Sequence, residues 1–314
     1  MSESPAPAGT PSVVLDGMTP LPGLGVIQAE GADAARFLHG QLTQDFALLG
    51  EGQARLAAFC SAKGRMQASF IGVKAGTDRI LLVCSRDLLA PTLKRLSMFV
   101  LRSQVRLSDA SADWAIAGLA GNTARLPCLP EAPWAVLRQG DGLAVRLYPA
   151  DTHPRALWLA PAGAAAPQAP ALDPALWAWS EVRSGVATLS QPVVDAFVPQ
   201  MLNYESLGGV NFKKGCYPGQ EVVARSQFRG TLKRRAWIVH GDGPLQAGQE
   251  VFSAADPEQP CGLVVQTAPA PTWGWDAIVS IQISAAEDGR LQAGAPGGPS
   301  LARLPLPYPL LDDI

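Results

Sequence analysis

The 314-residue sequence predicts an α+β fold built from several modules and ending in a small β-barrel. In the first part of the chain, short strand-like runs alternate with amphipathic helical segments, which is the order expected of α+β layers. After Arg235 the pattern changes to short strands separated by Gly- and Pro-rich turns, as is typical of a small barrel. The length suffices for two or three packed modules rather than a single core.

The N-terminal half predicts two helices separated by a hairpin. Asp33 is placed to cap a helix that ends near Gly40. Strand-like runs between residues 54 and 73 flank a tight turn at 62–65. The second helix begins at Asp87, because apolar residues recur from there at helical spacing while basic residues lie on the other face.

The middle of the chain predicts three strands, a linker and a third helix. The strands are expected at 114–118, 144–148 and 156–159, after an earlier one at 80–83. An Ala-, Pro- and Gly-rich stretch near residues 160–172 follows. Asp173 and Pro174 then open a helix as N-cap and first residue, and that helix ends near Gly185.

These elements predict the organisation of the whole chain. Residues 1–12 are expected to be a disordered tail, residues 13–231 to form two α+β modules, and residues 232–314 to form the barrel. Within these units the segment 13–26 has a mixed character with turn residues, and the Pro-rich end from residue 294 is expected to be partly loose.

Composition limits the classes of function. The formal net charge of -2 argues against a large nucleic-acid footprint, so any contact with RNA is expected to be local. There is no N-terminal basic flank with an apolar run, and no apolar stretch of membrane-spanning length, which predicts a soluble, cytoplasmic protein without membrane contact.

The cysteines are five in number, without close pairs, which argues against a disulfide framework and fits a reducing cytosol. No C-x-x-C or H-E-x-x-H spacing occurs and the three histidines are scattered, so no dedicated metal site is expected. Four of the cysteines lie in apolar or strand-like contexts and are expected to be structural: Cys60, Cys84, Cys128 and Cys261.

The fifth, Cys216, lies in the most informative segment of the chain. Lys213 and Lys214 precede it, and Pro218 is suited to the first turn of a helix that would place Glu221 and Arg225 four residues apart. A thiol beside ammonium groups at a helix N-terminus is expected to be a thiolate at neutral pH, and hence reactive or able to touch a metal. The alternative is that Cys216 is a small buried apolar residue.

The eight residues 214–221, KGCYPGQE, resemble the signature K-G-C-[FY]-x-G-Q-E of the YgfZ-type folate-binding proteins, which are related to glycine-cleavage T-proteins. Four further anchors in the same order are similar to that family. They are HGQLTQD at 39–45, CSAKGR at 60–65, VRSG at 182–185 with FVPQ at 197–200 and Asn203, and VAR at 223–225 with the basic residues up to Arg234. The resemblance covers roughly residues 13–239.

The resemblance implies a fold and a function. The implied fold is a GcvT-like ring of α+β modules around a central cavity for tetrahydrofolate, or for a one-carbon-substituted or polyglutamylated form, with a C-terminal β-barrel. The implied function is that of an accessory protein for synthesis or repair of iron–sulfur clusters in client enzymes, including a radical-SAM enzyme that thiomethylates tRNA. The implied partners are therefore folate and iron–sulfur enzymes, with a weak tRNA contact.

The resemblance also implies site residues. In T-proteins a Glu two residues before the glycine that matches Gly185 grips the pterin, but Arg183 stands there in this chain and offers only donors. Glu181 lies nearly opposite on the helix and is not expected to take over. The catalytic residues are predicted to be Cys216 and Lys214. The predicted folate-binding residues are Asp45, Arg183, Gln200, Asn203, Gln220, Glu221 and Arg225.

Several alternatives stay open at this stage. Because Arg183 replaces the Glu, a folate-dependent aminomethyl transferase is the second hypothesis, and an RNA-binding or scaffold protein is the third. The basic cluster from Arg225 to Arg235 suits the folate glutamate tail, RNA phosphate or plain solvation. Of the aromatics, Trp177, Trp179 and Trp237 are expected in the core, with stacking of one on a pterin as the alternative.

Overall fold

The computed structural model describes residues 13–228 and 232–311, which form two five-stranded antiparallel sheets and a closed six-stranded barrel. The strands are β1 Gly17–Pro20, β2 Leu24–Glu30, β3 Ala54–Cys60, β4 Met66–Gly76, β5 Arg79–Ser85, β6 Arg106–Asp109, β7 Trp114–Ala120, β8 Val136–Gln139, β9 Gly142–Ala150, β10 His153–Pro161, β11 Arg234–Gly241, β12 Glu250–Ser253, β13 Asp256–Pro269, β14 Trp275–Gln282, β15 Leu291–Ala293 and β16 Ser300–Leu304. The helices are α1 Ala34–Gln41, α2 Arg86–Ser97, α3 Pro174–Arg183, α4 Gln220–Phe228 and α5 Ile283–Asp288.

The N-terminal sheet has the strand order β3-β4-β5-β2-β6. One of its faces packs against α1 and α2 through a core that includes Phe37, Phe59 and Phe70. The turn at 61–65 joins β3 to β4, and its Gly64 has a φ of 70°, a conformation that glycine adopts without strain. This hairpin is the one that the sequence predicted.

The middle sheet has the order β1-β7-β10-β9-β8 and covers the other face of the N-terminal sheet. The shared core contains Val73 and Val83 from the first sheet and Val145 and Leu157 from the second. Trp177 of α3 belongs to the same core, so this helix packs onto the two-sheet layer. Burial of these apolar side chains provides the main favourable free energy for joining the sheets.

The barrel closes because β16 pairs with β11, with Ile238 opposite Leu304. Its interior is apolar and includes Val239, Val264 and Val279, which alternate with outward-facing residues along their strands. Beyond β16 the chain returns to the middle of the molecule, where the buried Tyr308 hydroxyl donates to the carbonyl of Gly185 at 2.8 Å.

Ion pairs attach α3 to the barrel and to the middle sheet. Arg183 donates to Asp151 in the turn between β9 and β10, with a shortest N–O distance of 2.6 Å, and lies 3.5 Å from Asp276 of β14. Asp276 also accepts from the Trp179 indole at 2.8 Å and contacts His240 Nδ1 at 2.7 Å. The nearly buried carboxylate thus has several polar partners, as a buried charge requires.

The predicted α+β fold with a terminal barrel is confirmed. In the segment from residue 13 to 26 the turn residues Pro22 and Gly23 lie between β1, an edge strand of the middle sheet, and the start of β2. The end of the chain is not loose in residues 294–311, since β16 closes the barrel and Tyr308 is buried. The predicted tail at 1–12 lies outside the described residues.

Asn203 joins the segment after Leu202 to the barrel, and its replacement tests that junction. Its amide is fully buried, donates to the carbonyl of Ala236 at 2.9 Å and accepts from the Ala236 N–H at 3.2 Å. Its φ of 58° is one that Asn tolerates better than Ala. We expect Asn203→Ala to lower the free energy of unfolding by about 2–4 kcal/mol, because it leaves buried backbone groups unpaired.

Chemical denaturation of the purified protein measures this effect. Asn122→Ala is the matched control, because Asn122 is exposed and its replacement is expected to change stability by less than about 0.5 kcal/mol. Equal stabilities of the two variants would contradict the anchoring role of Asn203.

Candidate functional site

A cavity of about 310 Å³ lies where the three units of the fold meet. The turn between β1 and β2 supplies apolar side chains, α3 supplies Trp177 and Glu181, and β13 of the barrel supplies Gln266. A deeper void of about 40 Å³ shares Trp177 and Glu181 and extends to Tyr204. The volume is at the lower end of that of small-molecule sites, about 300–1,000 Å³.

The carboxyl of Glu181 is the principal polar group of this cavity. Burial raises its pKa above the ordinary value of a Glu, and the nearby charge of Arg155 and the indole of Trp177 oppose that effect. The guanidinium of Arg155 stacks on the Trp177 ring at 4.5 Å. A half-buried acceptor beside apolar side chains is suited to binding N–H groups of a ligand.

Two buried donors beside Glu181 lack a hydrogen-bond partner within the described residues. They are the Trp177 indole N–H and the Arg155 Nε–H. Trp177 is only 2% exposed and lines the cavity, so its N–H is desolvated. Buried polar groups usually have partners, but both of these donors are sealed from solvent and Arg155 does not line the cavity, so neither is accessible to a ligand in this conformation.

Arg183 and Glu181 lie on different sides of α3. The Arg183 guanidinium is engaged by Asp151 and Asp276, as described above, and does not line the cavity. Glu181, which was not expected from the sequence to contact folate, lines the cavity instead. Helical spacing predicts that Arg183 and Glu181 lie on opposite sides of α3. It does not predict which of the two sides faces the cavity, because that depends on the positions of the neighbouring strands. The folate contact predicted for Arg183 stays a prediction.

A second site forms where the sequence motifs at 39–45 and 208–217 dock together. Thr43 Oγ1 donates to the carbonyl of Gly209 at 2.6 Å, and the Asn211 N–H donates to the carbonyl of Thr43 at 2.9 Å. Gln44 Nε2 donates to the carbonyl of Gly208. These hydrogen bonds hold two segments together that are more than 160 residues apart in sequence.

Lys214 is the buried cation of this site. Its ammonium donates to the carbonyls of His39 and Leu42, and it lies 4.6 Å above the ring centroid of Tyr217. Burial lowers the pKa of Lys214 to about 8, against the opposing effects of Asp45 and of Cys216. The lysine therefore fixes the loop that carries Cys216 onto the C-terminal end of α1.

Asp45 lies in this second site rather than in the cavity. Its Oδ1 is 3.0 Å from His39 Nδ1 and accepts from the Leu48 N–H at 3.0 Å. Burial acts to raise the pKa of Asp45, but the hydrogen bonds from Leu48, His39 and Ala47 outweigh it and hold the pKa below its ordinary value. Asp45 is thus an anion next to His39.

Cys216 is exposed, which excludes the alternative of a buried structural thiol. It does not line the central cavity, so the structure separates the thiol from the cavity by placing them in different sites. Cys60 and Cys84 are buried, and burial raises the pKa of each to about 12. Cys128 is exposed, so the expectation that it is a structural residue is wrong.

Helix α4 follows directly and packs against the turn at 61–65. Gly219, with a φ of 79°, approaches this turn so closely that a Cβ would lie 2.4 Å from the Ser61 carbonyl oxygen. The buried Gln200 anchors α4 to the protein interior, because its Nε2 donates to the carbonyl of Val223 at 2.7 Å. Two motifs of the sequence, at 60–65 and 214–221, therefore form one structural unit.

The structure brings some of the predicted site residues together and separates others. Asp45, Lys214 and Cys216 share the second site, and Gln220, Glu221 and Arg225 follow on α4, where Glu221 and Arg225 are exposed. Gln200 and Asn203 use their amides within the protein, on Val223 and Ala236. The folate contacts predicted for these residues stay predictions. His39 was not named as a site residue from the sequence, although it is the first residue of the motif at 39–45.

The fold was compared with solved structures and the sequence with known proteins. Aminomethyltransferase T of the glycine cleavage system from Bartonella henselae superposes with a TM-score of 0.64 over 94% of this chain and 86% of that chain, at 16% sequence identity. The protein thus has the fold of the glycine-cleavage aminomethyltransferases. No family model matches the chain.

Relatives at higher identity define the family. The tRNA-modifying protein YgfZ of Edwardsiella ictaluri is 33% identical over 234 residues, which cover 68% of each chain. That of Shigella boydii is 32% identical over 240 residues, which cover 70% of this chain and 71% of the relative. The chain therefore belongs to the family of the tRNA-modifying protein YgfZ. In the described residues no helix combines the length and the apolar character needed to cross a membrane.

The contact between Gly219 and the 61–65 turn can be tested by substitution. We expect Gly219→Ala to destabilise the protein by about 2–4 kcal/mol, because alanine is strained at a positive φ and its Cβ meets backbone atoms. Thermal unfolding measures the change. Gly52→Ala is the control, because a Cβ there meets nothing within 4 Å. A Gly219→Ala variant as stable as the control would refute the close approach.

Proposed function

We propose that the protein binds a reduced folate in the central cavity and acts as an accessory factor for the synthesis or repair of iron–sulfur clusters in client enzymes, among them enzymes that modify tRNA. Membership of the YgfZ family supports the link to tRNA modification. The observation that carries the folate assignment is the half-buried Glu181 carboxyl in a cavity of suitable size at the junction of the three units.

The residues of the cavity fit a pterin ring. Such a ring presents N–H donors on one edge, which the Glu181 carboxylate accepts. Leu21, Pro22 and Leu24 provide an apolar wall for a flat heterocycle. A bound tetrahydrofolate would supply a carrier for one-carbon groups. The protein would select the ring through Glu181 and exclude water from it.

The second site supplies the functional thiol in this proposal. Cys216 is exposed and available to a client protein, and the buried ammonium of Lys214 holds its loop in place. The exposed Arg225 on the adjoining α4 adds positive charge for an acidic partner surface or for phosphate. Cavity and thiol then have separate tasks, one for the small molecule and one for the macromolecular partner.

Replacement of Glu181 tests the folate assignment. We expect Glu181→Gln to weaken binding of tetrahydrofolate at least about tenfold, because an amide presents one acceptor atom and repels one donor where the carboxylate accepts two. Binding is measured by titration of the intrinsic tryptophan fluorescence. For the native protein, affinity should fall on acidification at a higher pH than an exposed Glu would give, because burial raises the pKa of Glu181 and the ligand needs the ionised form.

The control makes the same chemical change on the surface. Glu287→Gln on α5 replaces an exposed carboxylate far in sequence from the cavity residues, and it should leave the affinity unchanged. Native affinity in Glu181→Gln, or no saturable fluorescence change in the native protein up to millimolar tetrahydrofolate, would overturn the assignment of the cavity.

Replacement of Cys216 tests the role of the thiol. We expect Cys216→Ala to fail in restoring the activity of iron–sulfur enzymes, including tRNA thiomethylation, to a strain that lacks this protein. Cys128→Ala removes the other exposed thiol and should restore activity fully. Full complementation by Cys216→Ala would exclude the proposed role, whereas loss with both variants would point to a general need for exposed thiols.

A further inference from the structure

His39 is held in one orientation by the carboxylate of Asp45. The Nδ1–Oδ1 distance is 3.0 Å, and both side chains are largely shielded, at 22% and 13% exposed. Because Asp45 is an anion, the stable neutral tautomer of His39 carries its proton on Nδ1 and donates it to the carboxylate. The other ring nitrogen, Nε2, is then left with a free lone pair.

That free nitrogen faces the loop of Cys216. Apart from atoms of the two adjacent residues, a Cβ built on Gly215 would have His39 Nε2 as its one neighbour within 4 Å among the described residues, at 3.4 Å. Gly215 precedes Cys216 directly, so the missing side chain leaves open space between the imidazole and the loop. A larger residue at this position would cover Nε2 and block access from the thiol side.

Lys214 does not compete with His39 as a proton acceptor. Its ammonium is held by two backbone carbonyls and by the ring of Tyr217, and with a pKa that burial lowers to about 8 it is still mostly protonated at neutral pH. It is close enough to Cys216 for the charge on that sulfur to raise the pKa of the lysine. Arg55 donates to the backbone carbonyl of Asp45, and Lys213, which precedes Lys214, is exposed. Nε2 of His39 is thus the ring nitrogen of the cluster that Asp45 leaves uncommitted.

We propose that Cys216, His39 and Asp45 form a nucleophilic site in which Nε2 of His39 takes the proton of the Cys216 thiol when its sulfur attacks a disulfide of a partner. A new S–S bond forms between Cys216 and one partner sulfur, and the original S–S bond breaks. The departing thiolate then takes the proton from His39, so that atoms and charge balance. The chemical class of substrate is an accessible disulfide, because thiolates attack sulfur readily. Asp45 is the positioning residue.

This inference rests on the proposed role of Cys216 as the functional thiol and is independent of folate. The full-length protein without folate is reacted with a dipyridyl disulfide, and the mixed disulfides at Cys216 and Cys128 are quantified by mass spectrometry of peptides. The exposed Cys128 serves as an internal reference in every sample. We expect Cys216 to react at least about tenfold faster than Cys128 at neutral pH, since base assistance commonly contributes that much or more.

Two variants separate the roles. His39→Gln removes the base and should bring the rate of Cys216 close to that of Cys128 and shift its rise with pH to higher pH. Asp45→Asn keeps the shape but loses the anion, and should give a smaller decrease in rate. The rate of Cys128 and the melting temperature report whether each variant is folded.

The outcomes decide the question. A Cys216 rate and pH profile unchanged by His39→Gln, or equal rates of the two thiols in the native protein, would refute the proposed site. A Glu181→Gln variant that loses folate binding but keeps fast reaction of Cys216 would show that the thiol site does not depend on the cavity. A His39→Gln variant that keeps folate binding but loses fast reaction of Cys216 would show that the cavity does not depend on the thiol site.

Discussion

The ion pairs of Arg183 with Asp151 and Asp276 set the geometry on which the central cavity depends. They fix α3 between the turn of the middle sheet and a strand of the barrel, and the nearly buried Asp276 accepts from the Trp179 indole as well. Ion pairs on one side of α3 fix the rotation of the helix about its axis, and so they fix the direction in which the opposite side faces. Glu181 and Trp177 therefore face the opening. Removal of one partner from such a pair would leave a buried charge unmatched, which is strongly destabilising.

Lys214 fixes the thiol site, as Arg183 fixes the cavity, because it is a second desolvated cation with partners in distant parts of the chain. Lys214 is 8% exposed, and its ammonium replaces water by two carbonyls at the end of α1 and by the face of Tyr217. The polar side chains of Thr43 and Gln44 add hydrogen bonds between the same segments. Because all of these partners belong to distant parts of the chain, the loop of Cys216 has a defined position although the sulfur itself is exposed. Pre-organisation of this kind is what a reactive side chain on a loop requires.

The sequence predicted the elements whose signals are local. Asp173 caps α3 through a hydrogen bond to the Ala175 N–H at 2.8 Å, and Pro174 begins the helix, as the dipeptide indicates. Asp33 precedes α1 as expected but makes no cap, because its carboxylate accepts from the distant Gln104 N–H instead. Long-range pairing was beyond such reasoning. Nothing in the short segment of β1 shows that its partner is β7, about a hundred residues later.

The same limit explains which site residues were found. Cys216 and Lys214 lie in a compact motif, so their neighbourhood could be predicted from adjacent residues. Glu181 could not, since its importance comes from a cavity that the β1–β2 turn, α3 and β13 form together. His39 was missed for a related reason. The role of His39 depends on its contact with Asp45, six positions later, and on its closeness to Gly215, which is more than 170 residues away in the sequence.

The two sites are separate in space but share one core, and this restricts how a ligand in one could influence the other. Tyr204 lines the deep end of the cavity and belongs to the same buried cluster as Tyr217, which carries the Lys214 ammonium on its ring. Cys60 belongs to the same cluster and precedes the turn on which α4 packs. Because such interiors are close-packed, a ligand that moved Tyr204 would displace these neighbours as well. This cluster is one route for coupling by contact, and a second runs through the Gly209 N–H, which donates to the carbonyl of Tyr204, while the Gly209 carbonyl accepts from Thr43.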